Sequence, residues 1–265
     1  MFWFKKKEIV LDCFTTDPFA FEYAPISHAS KHIPEWWKDL PSHVTFHNGL
    51  SNHNNKEVPS MKACRGFTDL FMSSYVLPFW GHLQINLIDG TQLTSEYDIN
   101  YTLDSGVQPL VSHLNSQFTG FTSKEFKHIK LASPWKLRTN TYVKFLLGDC
   151  IWNRRNLTDY NILPGVLDFK YQPNVNINLM SDYRQSPRLI KFEPASPLAM
   201  ITPLSEKNIE LKLHLIDNKE MEKVMPFNRI NYPWQKAESR YSNAKKFIQN
   251  HDDINKPKCP FGFGK

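Results

Sequence analysis

The sequence predicts a mainly β fold with helical additions (α+β), an antiparallel sandwich of β-clip or jelly-roll type. Three observations carry this. Residues 162–203 alternate apolar and polar side chains in short segments bounded by proline, the pattern of half-buried strands joined by tight turns. Asp89-Gly90 follows the alternating Leu83, Ile85 and Leu87, a strong hairpin signal. The chain holds 18 Pro against 10 Gly, so its turns and strand ends are set more by proline's fixed φ than by glycine's freedom.

Residues 8–14 read as a strand, broken by Thr16-Asp17-Pro18. A short helix is expected from Ile26 to Leu40, with Pro34 starting its second half. Trp36 and Trp37 are adjacent, about 100° apart on a helix, so one should pack inward while the other covers a neighbouring element. Residues 41–60, rich in Asn and His, read as a polar loop. Ser60 then caps a helix over Met61–Met72, with Cys64, Phe67, Leu70 and Phe71 at helical spacing. On that apolar face Cys64 is expected to be buried and inert.

Strand-like segments recur after a softer stretch at 104–124: FKHIKL, PWKLRT, TYVKFLL, VLDFKY, VNINLM, RLIKF, PLAMITP and NIELKLHLI. A short helix is expected over 218–225. A last one over 233–250 places Trp234, Ala237, Tyr241, Ala244 and Ile248 on one seam. The expected organisation is an N-terminal strand and helical region at 1–74 packing on the core, a β-rich core at 75–217, and a C-terminal amphipathic helix and basic tail at 218–265.

Hydrophobic residues at 41% suffice for a substantial core, and aromatics at 14% suit a ring-packed core or a partner surface. The net charge is +6, and Lys219–Lys265 holds ten Lys/Arg against five Asp/Glu. Such a tail suits an acidic partner or nucleic acid. Cys13, Cys64, Cys150 and Cys259 are too dispersed for a CxxC motif, so free thiols in an intracellular compartment are expected. Phe2-Trp3-Phe4 runs straight into Lys5-Lys6-Lys7, unlike a secretory leader. No apolar run approaches the roughly 18 residues of a membrane span.

Chemistry-bearing motifs are sparse. The HxD at His251-Asp252-Asp253 has no later histidine to complete an iron site, and His214 is flanked by Leu213 and Leu215, so no metal is expected. No GxSxG elbow and no P-loop is present. Asp168 is the carboxylate of interest. At the end of an apolar strand it suits general-base work, against the alternative of a turn residue bonded to the backbone. Lys236, Arg240, Lys245 and Lys246 form the basic face of the last helix, a candidate surface for a partner or for nucleic-acid phosphate.

EYAPISHASKHIPEWWKDLP (22–41), MKACRGFTDLF (61–71), YVLPFW (75–80), SPWKLRT (133–139), ILPGVLDFKYQPNVNINLM (162–180) and PLAMITPL (197–204), in this order, resemble a family of uncharacterised proteins. Its members are carried by T4-like phages of marine bacteria, with relatives in some bacterial genomes. The resemblance spans about 22–217 and implies a phage context in the host cytoplasm or the virion. The family has no assigned activity.

A narrower likeness lies in Gly165-Val166-Leu167-Asp168-Phe169-Lys170-Tyr171, which is similar to the dUTPase motif GVIDxDY. It implies that Asp168 orients a water and Tyr171 packs on a base. PLAMITP stands where dUTPases carry a strand near RIAQ, and FGFG at 261–264 is similar to their glycine-rich arm. Lys170 replaces the second Asp of the motif, and the substrate-contacting AGYDL segment is absent. Instead of the Arg-Ser-Ser phosphate motif there is Arg154-Arg155-Asn156, whose arginines are the candidate ligand contacts.

The leading expectation is therefore a phage-encoded, non-catalytic binding or assembly protein, virion-associated, with a protein partner or a homo-oligomeric state and no cofactor. The alternatives are a nucleotide-binding or nucleotide-hydrolysing enzyme using Mg²⁺, and a nucleic-acid binder through the C-terminal helix.

Overall fold

The computed structural model describes residues 9–47, 55–89, 92–97, 110–112, 125–154, 159–182, 184, 187–225, 242, 245 and 246. The fold is mainly β, with antiparallel sheets and helical additions. The first sheet runs β11 (Asn161–Ile162), β13 (Asn174–Asp182), β9 (Phe126–Thr139), β1 (Ile9–Thr15) and β16 (Ile209–Leu215), with β8 (Leu110–Ser112) pairing on β9. Its pairs are antiparallel except β1 with β16, which lie parallel. The second sheet runs β12 (Gly165–Leu167), β10 (Phe145–Asp149), β15 (Pro197–Pro203), β5 (Tyr75–Pro78) and β2 (Ser27–His28), antiparallel throughout.

Side chains alternate faces along a strand, which decides what each sheet buries. Leu11, Leu137 and Ile177 of the first sheet and Leu77, Phe145 and Ile201 of the second share one hydrophobic core. Residues 9–15 are thus an inner strand, and the core draws on them as well as on the 75–217 stretch. A third sheet, β14 (Arg188–Phe192), β6 (Leu83–Asp89) and β7 (Gln92–Tyr97), feeds Leu83, Ile85, Leu87, Ile190 and Phe192 into the same core. β6 and β7 form the hairpin expected at Asp89-Gly90, with Asp89 opposite Gln92.

Local chemistry sets the helices. Asp17 caps α1 (Pro18–Tyr23), its Oδ1 accepting from the N–H of Phe19 at 2.9 Å and of Ala20 at 3.3 Å, and Pro18 has the φ of a first helical residue. Asp217 caps α4 (Asn218–Val224) in the same way through Glu220 N–H at 2.8 Å. α4 packs Met221, Val224 and the following Met225 with Phe14, on the side of the first sheet away from the main core.

Several expectations need correction. The helix expected over Ile26–Leu40 is divided: β2 and a 3₁₀ turn at Ala29–His32 precede α2 (Glu35–Asp39), because Pro34 disfavours helical geometry at Ile33. The loop expected at 41–60 contains a hairpin of β3 (His43–His47) and β4 (Asn55–Pro59). Ser60 caps only a 3₁₀ turn at Met61–Ala63, after which α3 (Arg65–Ser73) begins. Cys64 stands before α3 at its N-cap and is exposed rather than buried. FKHIKL and PWKLRT are one strand, β9. Pro134 lies where the pairing to β13 shifts register, a place where no ladder hydrogen bond needs its missing N–H. The strand at VLDFKY stops at Leu167, and Asp168 begins a turn.

Candidate functional site: the outward face of the second sheet

The outward positions of the second sheet follow from alternation. Phe145 and Leu147 point into the core, so Leu146, Gly148 and the following Cys150 point out. The same parity sends Met200, Thr202 and Leu204 outward beyond β15, and Val76 outward on β5. One part of this face is covered. Val76, Met200 and Cys150 pack with Ala29, Trp37 and Phe71, and Ile33, Phe67, Leu70 and Trp152 join them. α2 and α3 supply most of that cover.

The cover is an aromatic cluster. Trp37 is buried with its ring edge-on to Phe67 and Phe71, each 5.6 Å away, and Phe67 meets Trp152 at 4.9 Å. Trp36 leaves the one-turn α2 in the divergent direction expected of its position and is 46% exposed. Its indole N–H donates to the Trp152 carbonyl at 3.1 Å, and its ring lies 5.5 Å from Trp37 and 6.2 Å from Trp152. Trp36 is thus an exposed aromatic held in one orientation.

The adjoining part of the same face is bare. Val166 and Thr202 flank Leu146 in register, and Leu204 N–H bonds to the Lys144 carbonyl just beyond the pairing of Phe145 with Pro203. Leu146 is 38%, Val166 56% and Leu204 54% exposed. Thr202 shares a 2.7 Å hydroxyl contact with Ser74, the residue that ends α3. The bare strip therefore begins where the helical cover stops. Isolated exposed apolar residues are ordinary on a protein surface, whereas Leu146, Val166 and Leu204 lie together on one face of adjacent strands. Burying such side chains contributes on the order of 1 kcal/mol each.

Behind the cluster, residues 149–154 and 159–162 are held by polar contacts. Asp149 Oδ2 accepts from Arg154 Nη2 at 2.8 Å and from Ile162 N–H at 3.1 Å. The Arg154 guanidinium lies 4.3 Å from the Tyr160 ring centre and donates to the Tyr160 carbonyl. Asn153 Nδ2 donates to the His32 carbonyl at 2.6 Å, and His32 Nε2 meets Ser27 Oγ at 2.8 Å. Burial pushes the Asp149 carboxyl up, against the opposing pull of Ile162 N–H and Arg154. Burial likewise holds the His32 imidazole below its ordinary value and raises the Cys150 thiol. Cys150 is a packed core residue rather than a nucleophile.

The residues singled out from sequence lie apart. Asp168 is buried at a turn, its Oδ1 accepting from Lys170 N–H at 3.2 Å while its carbonyl accepts from Tyr171 and Gln172 N–H. This is the backbone-bonding geometry of a turn aspartate. Tyr171 is buried with its ring 6.5 Å from Tyr142. Arg154 is committed to Asp149 and Tyr160. Arg155, Lys236 and Arg240 lie outside the described residues, as do Cys259 and most of the 233–250 segment. Lys245 and Lys246 are helical and exposed. His214 meets Asp12 Oδ1 at 2.9 Å and stacks on Phe14 with ring centres 4.6 Å apart. Among the described residues no group of three His, Cys, Asp or Glu has a metal-holding arrangement, and no helix is long and apolar enough to cross a membrane.

Sequence reading missed Leu146, Val166 and Leu204 as surface residues and Trp152 as part of the aromatic cover. The parity of TYVKFLL and PLAMITPL carried that signal, since Leu146 and Leu204 sit out of phase with their core neighbours.

No protein-family model, curated protein or solved structure matches the chain.

Proposed function

We propose that this chain is a non-catalytic binding or assembly protein whose partner docks on the outward face of the second sheet. The observation behind this reading is the bare strip of Leu146, Val166 and Leu204 on the same sheet face whose aromatic cover carries the exposed, oriented indole of Trp36. The fitting occupant is the apolar face of a helix from a partner protein. α3 already lies on the neighbouring part of the same face, so a second helix beside it would complete the layer. The strip itself holds no nucleophile or acid–base pair, so recognition there rests on burial. The resemblance to proteins of T4-like marine phages supports placing that partner among virion or host proteins.

The test is retention from infected-cell lysate on immobilised full-length protein, run beside Leu146→Glu/Val166→Lys and Trp36→Ala. One protein retained in stoichiometric amount by the parent chain and lost from both variants supports the reading. The retained protein must also cross-link near Leu146. Retention indifferent to both variants, or no retention from any lysate, overturns it.

A further inference from the structure

Among the described residues the two main sheets have five edge strands, and four are short: β11 and β2 have two residues each, and β12 and β8 have three. The fifth, β16, has seven residues. It pairs with β1 residue for residue from Ile209 to Leu215 with no register shift, and no other described strand pairs with it. A strand hydrogen-bonds on both sides, so the backbone N–H and C=O groups of Ile209, Leu211, Leu213 and Leu215 point away from β1. The Ile209 carbonyl already accepts from the Tyr75 hydroxyl at 2.8 Å and keeps one lone pair for a further donor. Long unpaired edges are usually blunted by proline, a bulge or covering structure. β16 contains no proline and no bulge; α1 contacts it, and Lys212 is its one lysine.

Its side chains are also self-complementary. Ile209, Leu211 and Leu213 face the core side, with Leu211 and Leu213 only partly buried. Glu210, Lys212 and His214 face the opposite side. Glu210 and Lys212 are exposed, and their charged groups are 3.3 Å apart. We infer that β16 is a dimerisation edge that pairs antiparallel with β16 of a second copy about a two-fold axis through Leu211. In that register Glu210 stands opposite Lys212 of the second copy, and Lys212 opposite its Glu210. On the other face Leu211 meets its own counterpart and Ile209 meets Leu213, so apolar pairs with apolar. A two-fold through Lys212 would set the two lysines against each other, so charge selects the Leu211 register. The result is a continuous sheet across two copies. This inference does not rest on the partner surface proposed above, which lies on the other sheet.

The test is sedimentation equilibrium of the full chain with charge reversals at the edge. The parent chain should dimerise. Glu210→Lys, which places lysine against Lys212 of the second copy, should weaken self-association on the order of thirtyfold. Glu210→Lys/Lys212→Glu restores both pairs in reversed sense and should restore dimerisation. Thermal melts of all three chains check that the fold survives. As a second route, exchange of the β16 amides for deuterium should slow with rising protein concentration. A parent chain that stays monomeric at all concentrations overturns the proposal. So does a dimer that neither Glu210→Lys nor protein concentration affects at these amides.

Discussion

Arg154 and Asp149 form a nearly sealed ion pair, Nη2 to Oδ2 at 2.8 Å, with side-chain exposures of only 7% and 16%. It ties Asp149 and Arg154 to Tyr160 and Ile162, through the Arg154 guanidinium on Tyr160 and the Ile162 N–H on Asp149. Breaking a buried pair from one side costs about 3 kcal/mol or more, because the remaining charge stays desolvated. Arg154→Met is expected to cost about that much at neutral pH. Burial already raises the Asp149 carboxyl, and losing Arg154 raises it further. A carboxyl raised in the folded state favours folding most when protonated, so the deficit should shrink as pH falls from 7 toward 5. Urea denaturation at both pH values measures it, and an unchanged deficit would mean that the desolvated carboxylate is not its cause.

Asp168 offers a discriminating pair of substitutions. Its Oδ1 accepts Lys170 N–H, a role that an asparagine carbonyl can keep and alanine cannot. Asp168→Asn should hold stability within about 0.5 kcal/mol, while Asp168→Ala should lose about 1–2 kcal/mol. In the same samples, a panel of deoxynucleoside triphosphates with Mg²⁺ should give neither thermal shift nor pyrophosphate release. Turnover in the parent chain that disappears in Asp168→Asn would instead establish the nucleotide-hydrolase alternative.

The β class was legible because its signal is local: Leu83, Ile85 and Leu87 alternate, and Asp89-Gly90 can turn the chain without help from anything distant. The divergence of Trp36 and Trp37 was legible from helical geometry alone. The pairing of β1 with β16 was not, since nothing local tells Ile9 that its neighbour is Ile209. β9 hid its continuity behind Pro134, which a sequence reader takes as a break and a bulge tolerates. The candidate surface was half legible. The tryptophans stood out, but the exposure of Leu146 depends on where the cover from α3 stops, a matter of tertiary placement.

Tyr75 ties the two main sheets together, its hydroxyl on β5 donating to the Ile209 carbonyl on β16 at 2.8 Å. Burial pushes its phenol up to about 12, so the donor stays protonated well above neutral pH. Tyr75→Phe removes the donor and leaves the Ile209 carbonyl without it, at an expected cost of about 1–2 kcal/mol with no change in secondary structure. Guanidinium denaturation with circular dichroism tests this. A loss near zero would show that water replaces the hydroxyl freely, and that β16 is anchored by its ladder with β1 alone.

Lys136 is the outward-facing neighbour of Phe14 on β9, and among the described residues its side-chain amine has no hydrogen bond or ion pair. Burial alone pushes its amine down to about 8 from the ordinary 10.5. Below about pH 8 the folded chain holds this ammonium largely out of water, whereas the unfolded chain holds it solvated. Between those two values the unfolded state binds more protons, so stability from this group rises with pH across the window. Lys136→Met keeps the apolar stem and removes the charge. It should therefore stabilise the fold by about 2 kcal/mol at pH 7, with the advantage fading between pH 8 and 10.5. Urea titrations at pH 7, 8.5 and 10 measure both parts. A variant that destabilises at pH 7 would mean that Lys136 has a counter-charge in the folded chain, which would make this corner of the first sheet the next place to look for a ligand.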